Sequence, residues 1–255
     1  MPCASEAGHY VDRTEFFNAN NLAKVMTPAT VKYYAEYPGN SGTYWAVPVE
    51  GDALGWSYRK DWFEDPTEMT NFAAKYGYPL AVPTTWAQLL DIAEFFNRPD
   101  EGRYGVAIYT DNSYDGLVMG VENAIFSYGG ELGDVETFQV EGILNSPQAV
   151  QALEDYKRLF SYTPPGWSKA FFVENNQAIT KGLAAMSMNY ATRYNEAFYQ
   201  TMFVVKDFWA VPEFAELLTA ANRRLYPFIV GGAGTAQETL AADWTETFVK
   251  YGRGQ

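Results

Sequence analysis

One cysteine, Cys3, and one histidine, His9, occur in 255 residues. An internal disulfide is therefore impossible. A thiol–imidazole pair or a Cys/His metal site would have to be built from these two alone, near the start of the chain and without further ligands beside them. Neither is a candidate for catalysis. Basic residues are also scarce: 18 Lys and Arg face 31 Asp and Glu, a formal net charge of -13. That balance repels phosphate backbones and anionic lipid, so nucleic acid and membrane surfaces are poor partners. No apolar run approaches the length of a membrane span, and residues 1–20 have neither the basic start nor the apolar middle of a signal peptide. There is no G-x-S-x-G, no phosphate loop, no H-E-x-x-H and no dinucleotide fingerprint. Gly231-Gly232-Ala233-Gly234 follows a helical stretch and precedes a capping threonine, so it reads as a helix–helix turn. No cofactor is implied.

Aromatic residues, by contrast, are abundant: 19 Tyr, 17 Phe and 7 Trp. Many must fill the core. Tyr and Trp also line sugar sites, because one ring offers an apolar face and a polar tip.

The pattern along the chain mixes strands and helices without a clean boundary, which indicates an α/β fold. Residues 1–42 are polar and irregular, with weak helical periodicity near Phe16-Phe17 and Tyr33-Tyr34. Residues 43–63 read as extended chain, with Leu54, Trp56 and Tyr58 alternating as a half-buried strand would. Residues 64–83, rich in Pro, Asp and Gly, read as connection. Residues 83–99 form a helix, opened by Thr85 and Gln88 in a capping-box pattern, with Trp86, Leu89, Leu90, Ala93 and Phe96 on one face. Residues 103–110 are a short apolar strand. A helix passes through 121–126 to Gly129-Gly130. Ser146 and Pro147 open the next one, and another occupies 170–182. The strand Leu183–Asn189 follows. Two helical stretches close the chain. The second opens on Thr235 and Glu238, with Leu240, Trp244 and Phe248 at helical spacing.

Four loops place polar groups beside aromatic rings. They are Asp52 with Trp56; Tyr109 and Asp111 with Tyr114 and Asp115; Tyr128, Gly129, Gly130 and Glu131; and Asn189 with Tyr190. Each lies at the end of a predicted element, and ligands of α/β sheets bind at the carboxyl ends of strands. Carboxylates and amides bond sugar hydroxyls, and rings stack on the C–H face of a pyranose. Together the four loops predict one ligand cleft. Acidic loops of this kind also suit a glycoside-active enzyme, which is the alternative reading.

Several stretches, in order across residues 43–250, resemble the extracellular solute-binding proteins of bacterial ABC importers, family 1, the maltose-binding-protein-like group that takes up carbohydrates. "YWAVPVEGDALGWSYRKDWFE" is similar to the segment that enters the family's second lobe. "PTTWAQLLDIAEFF", "FSYGGEL", "NSPQAVQALEDYKRL", "KGLAAMSMNY" and "PEFAELLTAANRRLYPFIVGGAGTAQETL" match later family segments. The resemblance implies a type II periplasmic-binding-protein-like fold and no enzymatic activity. A sugar or polyol would be gripped between two hinged lobes and delivered to ABC permease subunits by a monomeric periplasmic protein. It also implies site residues. Asp52, six positions before Tyr58, stands where the family's maltose binder has a sugar-binding carboxylate. Asn189, three after Met186, stands near the family's ligand contacts, and the Gly129-Gly130 turn lies near the cleft. Against the family pattern the chain reads as a fragment. Residues 1–52 are a remnant of lobe one, 53–190 are the helix-rich lobe two and 191–255 are the C-terminal helices, with a segment missing after Tyr190. On that reading a truncated product that no longer binds ligand is a further alternative.

Overall fold

The computed structural model of the chain describes Ser5 and residues 7–48, 53–134, 137–190, 213–241 and 243–252. Two compact units emerge. One comprises Met1–Ala53 and Tyr190–Leu217, the other Leu54–Asn189 and Leu218–Gln255.

In the first unit, helices α1 (Thr14–Ala19) and α2 (Pro28–Tyr34) carry the two aromatic pairs that showed helical periodicity. Thr27 caps α2 by accepting from the Thr30 amide, and Pro28 takes the first helical position. Phe17 is buried and stacks on Tyr44, with ring centroids 4.0 Å apart. The Tyr44 amide donates to Thr14 Oγ1 at 2.9 Å, and its carbonyl accepts from the Arg13 amide at 2.8 Å. A short antiparallel bridge pairs Glu36 with Tyr44.

The second unit is built on a three-stranded sheet. Strands β1 (Leu54–Tyr58), β2 (Tyr104–Ala107) and β3 (Ala184–Tyr190) lie in the order β1-β3-β2. β2 and β3 are parallel, pairing Tyr104 with Ala184 and Ala107 with Ser187. Both are buried along most of their length, as the apolar runs predict for a covered parallel sheet.

Helices α3 (Lys60–Phe63) and α4 (Pro66–Tyr76) follow β1. Both correct the sequence reading, which made 64–83 a connection and carried extended chain through residue 63. The punctuation of α4 is complete. Asp65 accepts from the Thr67 and Glu68 amides, Pro66 is the first helical residue, and Gly77 ends the helix at φ 77°. Phe72 is its sole buried residue, so there was little apolar periodicity to find.

Helix α5 (Trp86–Phe96) crosses β2 where a Cβ on Gly105 would lie 1.9 Å from the Ala93 carbonyl oxygen; only glycine lets helix and strand meet so closely. Helices α6 (Gly116–Ser127) and α7 (Pro147–Phe160) pack at Gly120, where a Cβ would lie 2.0 Å from Tyr156 Oη. Helix α8 (Phe172–Thr180) precedes β3. Helices α9 (Phe214–Ile229), α10 (Ala236–Leu240) and α11 (Asp243–Lys250) close the described chain. Thr235 and Glu238 form the predicted capping box on α10. The periodicity through Leu240, Trp244 and Phe248 runs across two helices rather than one, and all three residues are buried.

Candidate functional site

Among the described residues, two of the predicted loops stand apart: Tyr109, Asp111, Tyr114 and Asp115 lie before α6, and Tyr128, Gly129, Gly130 and Glu131 lie after its 12 residues, which span ~18 Å.

At the amino end of α6 lie the loops that leave the strands. Tyr109 follows β2 directly, but its ring is fully buried and meets Phe171 edge to face at 4.9 Å. Its carbonyl accepts from Tyr156 Oη at 2.7 Å, and burial pushes the Tyr156 hydroxyl pKa well up. The sequence predicts that Tyr109 presents its ring to a ligand cleft; in this structure the ring belongs to the core, packed against Phe171. The next residues are held from several sides. The amides of Thr110 and Asp111 both donate to the Ala170 carbonyl, at 2.9 and 3.0 Å. Asp111 accepts from Ser113 Oγ at 2.6 Å, and its carbonyl accepts from the Leu117 amide. Tyr114 is 64% exposed, and its carbonyl accepts from Asn222 Nδ2 at 2.5 Å. Asp115 is the residue before α6 and half-buried.

Asn189 reaches the same edge of the sheet. Two residues beyond the Ala107–Ser187 pair stand Tyr109 and Asn189. Asn189 is 7% exposed and donates from Nδ2 to Ser187 Oγ at 3.2 Å, while its Oδ1 has no hydrogen-bond partner. Buried amide oxygens without a donor are uncommon, and each calls for an explanation. Behind it, Asn175 on α8 donates to the carbonyls of Met188 at 2.9 Å and Ala107 at 3.3 Å, and it accepts from Trp167 Nε1 at 3.1 Å. This network fixes the strand ends that carry Asn189 and Tyr109. Tyr190 ends β3, and its side chain lies outside the described residues, as does Asp52.

At the carboxyl end of α6, Gly129 and Gly130 have a structural account. The Gly130 amide donates to the Ile125 carbonyl and the Gly129 amide to that of Phe126, with Gly129 at φ 78°. That is a Schellman helix end. A Cβ on Gly130 would lie 2.8 Å from Ile125 Cγ2. Glu131 is exposed beyond it. Tyr128 turns the other way, into a groove of about 600 Å³ that Trp56 and Trp86 also line. Trp56 and Trp86 meet edge to face, 6.1 Å apart at 85°, and Trp86 and Tyr128 lie 5.8 Å apart. Tyr128 Oη donates to Asp155 Oδ2; burial and then this carboxylate raise the Tyr128 pKa. Sequence reasoning placed Trp86 only on the core face of its helix. Its position at the first residue of α5, where helix residues still face outward at an end, was the available signal.

Among the described residues no group of three or more His, Cys, Asp or Glu side chains is placed to hold a metal ion. Among them, too, no helix is long and apolar enough to cross a membrane.

The family of bacterial extracellular solute-binding proteins matches this chain over residues 1–252. The chain belongs to that family. It is thus a member of a family of binding proteins, not enzymes, whose proteins are extracellular. Among curated proteins the chain is similar to YcjN of Escherichia coli K12, named as a putative ABC transporter periplasmic-binding protein. The identity is 29% over 214 residues, 82% of this chain and 44% of YcjN. It is also similar to the mannitol-binding protein of Pseudomonas aeruginosa, at 29% over 146 residues, 57% of this chain and 30% of that protein. The chain therefore spans less than half the length of these relatives. Among solved structures, an ABC transporter solute-binding protein of Thermotoga lettingae bound with α-D-tagatose superposes with a TM-score of 0.74. The match has 12% identity and covers 96% of this chain and 82% of that one. The fold is the type II periplasmic-binding-protein fold that the motifs implied.

Proposed function

We propose that this solute-binding protein binds a sugar or polyol at the carboxyl ends of β2 and β3 and delivers it, as a periplasmic monomer, to an ABC permease. The observation that carries this reading is the buried, unpartnered Oδ1 of Asn189. An acceptor so placed is satisfied by a hydroxyl donor, and a polyol supplies several. Asp111, already held by Ser113, adds a carboxylate, and the exposed ring of Tyr114 adds a surface for C–H groups. The mannitol-binding and tagatose-bound relatives support the ligand class, and the ABC transporter names of the relatives support the permease.

Thermal denaturation with D-mannitol, D-tagatose and maltose in turn tests the proposal, since a ligand that binds only the folded protein raises its stability by mass action. At least one should raise the midpoint saturably, and Asn189→Ala should remove the shift. No shift with any, or a shift that survives both Asn189→Ala and Asp111→Asn, overturns the assignment.

A further inference from the structure

The groove at the other end of α6 is unused by that reading. Three aromatic residues make a corner in it: Trp56 and Trp86 nearly perpendicular, and Tyr128 beside Trp86. Each of the three is only half-buried. Leaving two indoles open to water forgoes the stabilisation of burying them, and an open apolar corner rimmed by polar groups marks a binding surface. Of the thirteen described residues lining the groove none is charged, while six carry hydroxyls, among them Ser57, Thr84, Thr85 and Ser127. Its volume of about 600 Å³ falls within the ~300–1,000 Å³ of small-molecule sites.

The corner is also held rigid from behind. Thr85 Oγ1 accepts from the Gln88 amide at 3.2 Å, and Gln88 Oε1 accepts from both the amide and the hydroxyl of Thr84, at 2.8 and 3.0 Å. This clamp fixes the turn that presents Trp86. Tyr128 is tied through its hydroxyl to Asp155, itself bonded by Gln151 Nε2 at 3.1 Å. A preformed site loses little freedom when it binds.

We propose that this groove is a second carbohydrate site, taking a neutral pyranose ring whose C–H face lies on Trp86 and Trp56 and whose hydroxyls meet the Ser and Thr rim. The lack of lining charge selects against anionic and cationic ligands, and the mixture of rings and hydroxyls matches a molecule with one apolar face and a polar edge. The site is distinct from the one at the strand ends: Tyr128 stands beyond the carboxyl end of α6, and the groove meets β3 at Met186, three residues before Asn189.

Nitrogen-labelled protein titrated with methyl α-D-glucopyranoside provides the test, read on the indole N–H resonances of its 7 tryptophans. Trp56→Phe and Trp86→Phe identify two of those signals. Both should move saturably with the glycoside, in the parent and equally in Asn189→Ala. Trp86→Ala should weaken binding by roughly tenfold or more, the scale of losing one stacked ring. Ala87→Glu fills the groove from an exposed helical position that tolerates change, and should abolish the shifts with the fold intact. The proposal is overturned if the two signals do not move, do not saturate, survive Ala87→Glu, or are lost in Asn189→Ala. That last result would leave the strand-end site standing and make the groove a mere reporter of it.

Discussion

The side-chain amide of Asn175 donates to the main-chain carbonyl of Met188 at 2.9 Å. The same nitrogen reaches the Ala107 carbonyl at 3.3 Å, so one buried residue joins the carboxyl ends of two neighbouring parallel strands. Beyond those ends stand the residues assigned to the ligand.

Asn175→Ala removes both bonds and the acceptor of the Trp167 indole N–H, leaving buried polar groups unmet. Its cost should be about 2–4 kcal/mol in urea unfolding. Asn175→Asp should be no better, because a carboxylate would face two carbonyl oxygens. A loss below about 1 kcal/mol for Asn175→Ala would show that the network does not hold the strand ends.

Two glycines should respond very differently to alanine. At Gly105 the added Cβ would meet the backbone of Ala93 within 1.9 Å, and backbone cannot swing aside. Gly105→Ala should therefore force α5 off β2 and cost more than the ~1–3 kcal/mol of ordinary overpacking. An added methyl on Gly129 would find nothing within 4 Å, so the penalty there comes only from its φ of 78°. Gly129→Ala should cost about 1 kcal/mol, the strain of a left-handed alanine. Equal losses in chemical denaturation would contradict this account.

These contrasts show what the chain made legible. Ser146 with Pro147, and Thr235 with Glu238, sit at real helix starts because capping is a local interaction that residue spacing alone reveals. The strand Leu54–Tyr58 was visible because its alternation is local too. Helix α4 was hidden because it buries one side chain, Phe72, so its signal lay in Asp65, Pro66 and Gly77 at its ends rather than in a stripe. The division of the site could not be read from the chain. Tyr109 and Tyr114 look alike in a loop, and only tertiary packing buries the first against Phe171 and exposes the second. Tyr128 and Asp115 lie near in sequence, but a helix holds them at opposite ends.

A surface network predicts pH dependence. Glu94 accepts from Lys75 Nζ and Arg158 Nη2, each at 2.9 Å, and from the hydroxyls of Tyr76 and Tyr162 at 3.3 and 3.4 Å. The bond from Lys75, the largest cause, holds the Glu94 pKa below its ordinary value. A depressed carboxylate adds stability above its unfolded pKa and loses it as pH falls through the folded one. Glu94→Gln should thus cost about 0.5–1 kcal/mol at neutral pH, the modest scale of a partly exposed network. The difference from the parent should vanish in acid below the folded pKa. A constant difference from neutral to strongly acidic pH would place the effect in packing instead.

Asn189 offers the sharpest separation of stability from binding. Without ligand its Oδ1 is buried and unmet, so the residue burdens the fold. Leucine has a similar shape and no such oxygen. Asn189→Leu forfeits one bond to Ser187 Oγ at 3.2 Å, but the serine keeps its own bond to the Asn175 carbonyl at 3.1 Å. Ligand-free stability should therefore stay within about 1 kcal/mol of the parent or rise, while stabilisation by an added polyol disappears. Thermal midpoints with and without D-mannitol or D-tagatose measure both. If Asn189→Leu unfolds the protein, the amide is structural; if it keeps the parent's ligand response, the acceptor is not where the sugar binds.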